Sequence, residues 1–158
     1  MPPAPEPCAR EGPHGLVIRA EPTSVRAALR SILAAPLVSE IAPGHRQTVE
    51  LVLAEVLNNV VEHAYAPATG HVAIFLMRFS GGLVCEVIDN GAPMPNGTAP
   101  AGRLPEFDLS GCDLPEGGFG WYLIRSLACD ITYRRQRGTN RLGFTIPLGP
   151  PVPQASYP

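Results

Sequence analysis

The segment AEVLNNVVEHAY, residues 54–65, contains the pattern on which the fold prediction rests. Its apolar residues recur at helical spacing, while Glu55, Asn59 and Glu62 follow at i, i+4 and i+7 and project from one face of the predicted helix. A carboxylate and an amide one turn apart can polarise a hydroxyl group and reach a hard cation through oxygen. The alternative is a solvated stripe on an amphipathic helix, and this segment alone leaves both interpretations open.

Composition predicts one ordinary globular domain. The chain has 158 residues and 45% hydrophobic content, which is enough to fill one sizeable core. No run approaches the roughly 18 apolar residues of a membrane span, and the N-terminus lacks the apolar core of a secretory signal. The cysteines form no CxxC pair, so neither a zinc site nor a disulfide framework is indicated. We therefore expect a cytoplasmic protein with no membrane partner; its four cysteines are Cys8, Cys85, Cys112 and Cys129.

The basic residues exclude several classes of enzyme. All 12 of them are arginines, so the chain has no lysine. A P-loop and a eukaryotic-type protein kinase both need a lysine on the phosphates. The formal charge of -2 gives no global attraction to nucleic acid. We interpret the Arg134, Arg135, Arg137 and Arg141 cluster as the solvated face of a hairpin and expect no direct nucleic-acid partner.

The order of the predicted elements is α+β rather than strictly alternating. Proline-rich ends predict disordered tails at residues 1–14 and 149–158, which leaves a domain over 15–148. A helix over 25–35 is predicted to be capped by Thr23 or Ser24 and ended by Pro36. The other predicted elements are a strand at 15–21, a long helix at 45–66, hairpin strands at 71–79 and 82–89, a helix at 120–129, and hairpin strands at 131–138 and 141–148.

Two glycine-containing segments add to the helix pattern. In VIDNGAP, Asp89 ends an apolar strand and can accept a hydrogen bond from the exocyclic amine of a base, while Gly91 leaves room for a flat ring; the alternative is an Asx turn. In EGGFG, Gly117, Gly118 and Gly120 precede a helix whose free backbone amides can bind phosphate without lysine. The alternative there is a flexible linker before a helix start.

Taken together, these motifs resemble those of the GHKL (Bergerat-fold, histidine-kinase-like) ATP-binding superfamily, and within it the anti-sigma-factor serine/threonine protein kinases. The N box is similar to Glu55-Val-Leu-Asn-Asn59-Val-Val-Glu-His63-Ala64, and the first glycine box to Asp89-Asn-Gly91-Ala-Pro93. The second glycine box resembles Gly117-Gly118-Phe-Gly120, and the final hairpin resembles the family's closing hairpin with its Gly-x-Asn. The resemblance covers nearly all of residues 15–148.

The resemblance implies a fold and a role for each matching residue. The fold is a two-layer α/β sandwich, with a mixed, mostly antiparallel sheet and helices on one face. Asn59 would ligate Mg²⁺, Glu55 would act as the base for the attacking hydroxyl, and Asp89 would recognise adenine. The remaining assignments are that Gly91 admits the base, that Gly117, Gly118 and Gly120 lie along the phosphates, that residues 92–116 form a lid, and that Thr139 lies near the adenine.

Two functions remain open on these residues. The first is a protein kinase that uses Mg²⁺ and ATP to phosphorylate a small anti-sigma-factor antagonist of the STAS type, and that also holds a sigma factor. The second is a non-catalytic binding module in which bound ATP or ADP only controls the affinity for a regulatory partner. Glu55 favours the kinase, because a pure binder has no need of a base. The family resemblance also implies a homodimer.

Overall fold

The computed structural model describes residues 13–104 and 119–149. The long helix α3 (Pro43–Asn59) continues into a π-helical turn at Val60–Ala64, and a 3₁₀ turn lies at Pro95–Gly97 in the loop after strand β3 (Gly82–Asp89). The element bounds, in chain order, are β1 (His14–Arg19), α1 (Pro22–Ala34), α2 (Pro36–Ser39), α3 (Pro43–Asn59), β2 (His71–Phe79), β3 (Gly82–Asp89), α4 (Phe119–Leu127), β4 (Cys129–Gln136) and β5 (Thr139–Pro147).

The described strands form one antiparallel sheet in the order β1-β2-β3-β5-β4. The strands β2 and β3 are joined by a tight turn and so lie side by side, as do β4 and β5. The strand β5 runs antiparallel beside β3, so the start of β5 lies next to the end of β3. This agrees with the predicted α+β class, and each strand pair in the described part is antiparallel.

One face of the sheet carries the core. Alternate residues of each strand point to the same face, and on this face they are buried against the helices. The helix α3 supplies the largest buried stripe, because its apolar residues recur every three or four positions. The residues of α3 and β2 that fill this layer are Val49, Val52, Leu53, Val56, Leu57, Val72, Ile74 and Leu76. The layered arrangement confirms the predicted two-layer sandwich with helices on one face.

The opposite, outer face of the sheet carries apolar side chains that no described helix covers. We call these residues the outer apolar face. Met77 pairs with Val84 across β2 and β3, and Val17 of β1 pairs with Ala73, so all of these side chains lie on the same side. The exposed members are Val17, Phe75, Met77, Phe79 and Val84.

Several predicted element ends are wrong. The helix α1 begins at Pro22 and its N-cap is Glu21, with no side-chain cap; Ser24 instead donates its hydroxyl to a Glu21 carboxylate oxygen, at 3.0 Å. Proline suits the first helical position because its missing N–H is not needed there. For the same reason Pro36 does not simply end a helix but begins α2. None of the described helices is long and apolar enough to cross a membrane.

Candidate functional site

A cavity of about 430 Å³ lies between the end of α3, the sheet and the loop after β3. This volume is within the range of about 300–1,000 Å³ that small-molecule pockets have. Most of its wall is apolar, and a few polar side chains converge on it. The lining residues include Asn59, His63, Asp89 and Asn140 among the polar ones, and Val56, Val60, Met94, Trp121 and Leu142 among the apolar ones.

Two of the polar lining residues are buried partners in the sheet. Antiparallel pairing of β3 with β5 sets Asp89 opposite Asn140, and both are nearly inaccessible, at 6% and 4% exposure. They are the buried polar side chains among the described residues. Asn140 Nδ2 donates to Asp89 Oδ1 at 2.8 Å, and the Gly91 backbone N–H donates to the same oxygen at 2.8 Å. The sheet therefore fixes a carboxylate at the cavity wall.

The N-box side chains lie at the other side of the site, on α3. Glu55 is half-buried and Asn59, one turn later, lines the cavity. A Cβ placed on Gly120 would lie 2.6 Å from Glu55 Oε2 and 3.7 Å from Asn59 Nδ2. Real Cβ atoms do not approach so closely, so a side chain at position 120 would displace the Glu55 carboxylate from its place against the first turn of α4. The structure thus brings Glu55, Asn59 and Gly120 together.

Gly91 also makes a close backbone approach. A Cβ at this position would lie 2.5 Å from the Ala64 carbonyl oxygen, and the adjacent Ala92 N–H donates to that oxygen at 2.7 Å. The loop after β3 is therefore held against the π-helical end of α3. Packing against Ala64 thus requires glycine at position 91, in addition to the predicted role of Gly91 in admitting the base.

The other predicted site residues are placed as follows. Gly117 and Gly118 lie outside the described residues, as do positions 105–116 of the predicted lid. Thr139 is the first residue of β5 and points to the face opposite Asn140. Among the described residues that line the cavity, Asn140 is present and Thr139 is not.

Three further residues support the site through hydrogen bonds, and sequence reasoning assigned none of them to it. Buried Tyr65 accepts a hydrogen bond from the Asn90 N–H, at 2.8 Å, and donates to the His71 carbonyl, at 2.8 Å. Tyr133 and Arg135 of β4 both donate to the Asn140 side-chain oxygen. Arg135 is exposed, as the predicted solvated face requires, and its guanidinium also hydrogen-bonds to the site.

The remaining arginines of that cluster agree with the solvated interpretation. Arg134, Arg137 and Arg141 are exposed. Arg141 forms an ion pair with Glu86 at 3.2 Å, with both side chains about half exposed, so the pair contributes little to stability.

The residues present are compatible with the expected Mg²⁺. No group of three or more His, Cys, Asp or Glu side chains comes together in residues 13–104 and 119–149, so a site made of protein ligands alone is not built there. Asn59 Nδ2 is buried and has no hydrogen-bond partner among the described residues. Rotating this amide by 180° exchanges its nitrogen and oxygen, which presents the oxygen that Mg²⁺ prefers. Mg²⁺ takes few protein ligands because it keeps waters and phosphate oxygens.

An α+β sandwich with a buried carboxylate at the wall of a largely apolar cavity is the arrangement of a small-molecule-binding domain. The chain belongs to the histidine kinase-like ATPase domain family, whose sequence profile matches residues 18–146. This confirms the predicted superfamily and its fold, and membership of an ATPase family implies the use of ATP.

Bacterial serine-protein kinases are similar in sequence to part of the chain. The sequence is 30% identical over 94 residues to the serine-protein kinase RsbW of Bacillus cereus (strain AH820), and equally to that of Bacillus anthracis (strain A0248). Each alignment covers 58% of this chain and 58% of the relative, so the chain matches somewhat more than half the length of these relatives. The chain is therefore a distant homologue of these serine-protein kinases.

A solved structure shares the fold. The blue-light activated histidine kinase of Erythrobacter litoralis EL346 superposes with a TM-score of 0.51 and 22% sequence identity. The match covers 78% of this chain and 39% of that one. A likeness at this level of identity shows that the ATPase fold is shared.

Proposed function

We propose that this protein is an ATP-dependent serine/threonine protein kinase that also acts as an anti-sigma factor. The observation that carries the proposal is the convergence of Glu55, Asn59 and Gly120 beside a cavity that has buried Asp89 in its far wall. The homology with RsbW serine-protein kinases supports the same class of activity.

In this proposal ATP is the substrate and each polar residue has one task. Asp89 accepts a hydrogen bond from the adenine amine. The first turn of α4 offers backbone amides to the phosphates, which suits a chain without lysine. Asn59 would hold Mg²⁺, which neutralises charge on the phosphates. Glu55 orients and deprotonates the hydroxyl that attacks the γ-phosphate.

The phosphoryl acceptor is proposed to be a small anti-sigma-factor antagonist of the STAS type, with a serine or threonine hydroxyl as the nucleophile. When the antagonist is phosphorylated, the protein would release it and hold a sigma factor instead. We place this exchange in the cytoplasm, with the protein as a homodimer and with no direct contact with nucleic acid.

The test of the reaction is phosphotransfer from γ-labelled ATP, with Mg²⁺, into a lysate of the source cells. Glu55→Ala should reduce labelling by about 10²- to 10⁴-fold, the usual contribution of a general base, and should change the ATP Kd only a few-fold. Asp89→Ala should instead weaken ATP binding by about 10- to 100-fold, since it removes a hydrogen bond to a charged group. Glu50→Ala, at an exposed position of the same helix, is the matched control and should behave as wild type.

The outcomes separate the two functions. Equal loss of ATP binding in Glu55→Ala and Asp89→Ala would contradict the assigned roles. ATP binding with no labelled protein would favour the second function, in which bound nucleotide controls the affinity for a partner and no phosphate is transferred.

A further inference from the structure

The amide of Asn140 has a full set of protein partners. Its Oδ1 accepts from the Tyr133 hydroxyl at 2.7 Å and from Arg135 Nη1 at 2.5 Å. Its Nδ2 donates to Asp89 Oδ1 at 2.8 Å and to the Ala92 carbonyl at 3.0 Å. An asparagine side chain offers two donors and two acceptor sites, so Asn140 has no hydrogen-bonding capacity left for a ligand although it lines the cavity.

The orientation of this amide is fixed by its neighbours. Arginine can only donate hydrogen bonds. The Met94 N–H donates to the Tyr133 hydroxyl at 3.0 Å, so the single hydroxyl proton of Tyr133 is free to point to Asn140. Two donors therefore converge on one end of the amide, which must be its oxygen. The nitrogen is then forced towards Asp89.

The same hydrogen bonds fix the orientation of the Asp89 carboxylate. Its Oδ1 accepts from Asn140 Nδ2 and from the Gly91 N–H, so Oδ1 is committed to protein donors. The second carboxylate oxygen, Oδ2, is the one left for a donor on a ligand. Arg135 adds a hydrogen bond to the Gly91 carbonyl at 2.9 Å, which ties the loop after β3 to the same network.

We propose that Asn140, held by Tyr133 and Arg135, is a positioning residue that makes the cavity select adenine over guanine. This inference rests on the proposed function, since it concerns the base of the bound nucleotide. Adenine presents an amine donor at the position where guanine presents a carbonyl acceptor. Both oxygens of an ionised carboxylate only accept hydrogen bonds, so Asp89 attracts the amine and repels the carbonyl. Because a hydrogen bond weakens when it is misaligned, holding Oδ2 in one direction strengthens the preference for the amine.

The test measures the Kd of ATP and of GTP by calorimetry on the full chain. Wild type is expected to prefer ATP. Arg135→Gln and Asn140→Leu should each reduce the ATP-to-GTP preference by about tenfold, the equivalent of one lost hydrogen bond, and Arg135→Lys should restore part of it. Arg134→Gln is the matched control, because it removes the same charge one residue earlier, on the opposite face of β4. It should leave the preference unchanged.

A merely structural role predicts a different result. If the variants lower the ATP and GTP affinities by the same factor, or leave the ratio unchanged, the positioning role is wrong, as it is if wild type binds ATP without preferring it. Wild type that binds no ATP would instead overturn the proposed function, and this inference with it. Thermal melting checks the fold of each variant, and Tyr133→Phe, which keeps the ring and loses the donor, gives a second reading if Asn140→Leu unfolds.

Discussion

At the scale of single residues, the chemistry of a buried thiol can be tested through the pH dependence of stability. Cys85 lies in the middle of β3 with no exposed surface, and burial raises the pKa of its thiol far above the ordinary range. The thiol therefore stays protonated in the folded state at pH values where the unfolded chain ionises.

The sign of the pH effect follows from proton binding. Above about pH 8.5, the ordinary pKa of a thiol, the unfolded state binds fewer protons than the folded state, so stability falls as the pH rises. Between pH 7.5 and 9.5 this thiol should cost about 1 kcal/mol of unfolding free energy. Urea unfolding should show that loss in wild type and a loss smaller by that amount in Cys85→Val. Parallel pH profiles for the two proteins would refute the assignment.

At residue level, the sequence predicts candidate site residues where a motif specifies both residue type and spacing. Glu55, Asn59 and Asp89 are candidates from local spacing; Asn59 and Asp89 line one cavity, Glu55 lies one turn before Asn59 on α3, and their roles are proposals. Asn140 was missed because its place beside Asp89 depends on the pairing of β3 with β5, 51 residues apart. No local pattern specifies such a partner, and the neighbouring Thr139 was selected instead.

At the scale of elements, Gly120 leaves room for the Glu55 carboxylate between α4 and α3. Replacing it with alanine would set a Cβ 2.6 Å from Glu55 Oε2, so either the carboxylate or the helix must move. Gly120→Ala should therefore lower the rate of phosphotransfer by about 100-fold, the scale that a misplaced catalytic group costs. The measurement is single-turnover transfer with saturating ATP.

The matched control for this change is another helical glycine. Gly44 lies in the first turn of α3, and a Cβ there would meet nothing within 4 Å. Gly44→Ala should leave transfer unchanged and hold or raise the melting temperature, since alanine is the better helix former. If Gly120→Ala transfers phosphate at the wild-type rate, Gly120 is not a spacer for Glu55.

The helix ends show why element bounds were harder to predict than elements. Both hairpins and both long helices were found, because periodicity extends over many residues. The predicted end of α3 at residue 66 missed the change to a π-helical turn at Val60. The π-helical turn ends at Ala64, which contacts the loop after β3, and the sequence around α3 does not contain that loop.

At the scale of the whole molecule, the outer apolar face bears on the proposed homodimer. Contiguous exposed apolar residues on a protein often mark an interaction surface. Met77 is 48% exposed at the centre of this face, beside Val84. We expect a second copy of the chain to cover it.

Placing a charge on this face should separate the subunits. In a two-fold symmetric dimer Met77→Glu buries two carboxylates, at a cost of about 3 kcal/mol in all, so the dimer Kd should rise about 100-fold. Light scattering over a range of protein concentrations gives the measurement. Leu51→Glu, at a similarly exposed position on α3, adds the same charge elsewhere and should leave the dimer intact. A wild-type protein that stays monomeric at high concentration would refute the dimer.

Because the pairing of β3 with β5 brings Asn140 beside Asp89, ligand binding depends on the correct register of these strands. A slip of β5 by one residue would turn Asn140 to the outer face and remove the partner of Asp89, because side chains alternate along a strand. Under the proposed function, only molecules with the correct pairing would bind adenine tightly. Nucleotide would then stabilise that pairing by mass action, and an immobilised adenine nucleotide would separate correctly folded protein from misregistered protein during refolding.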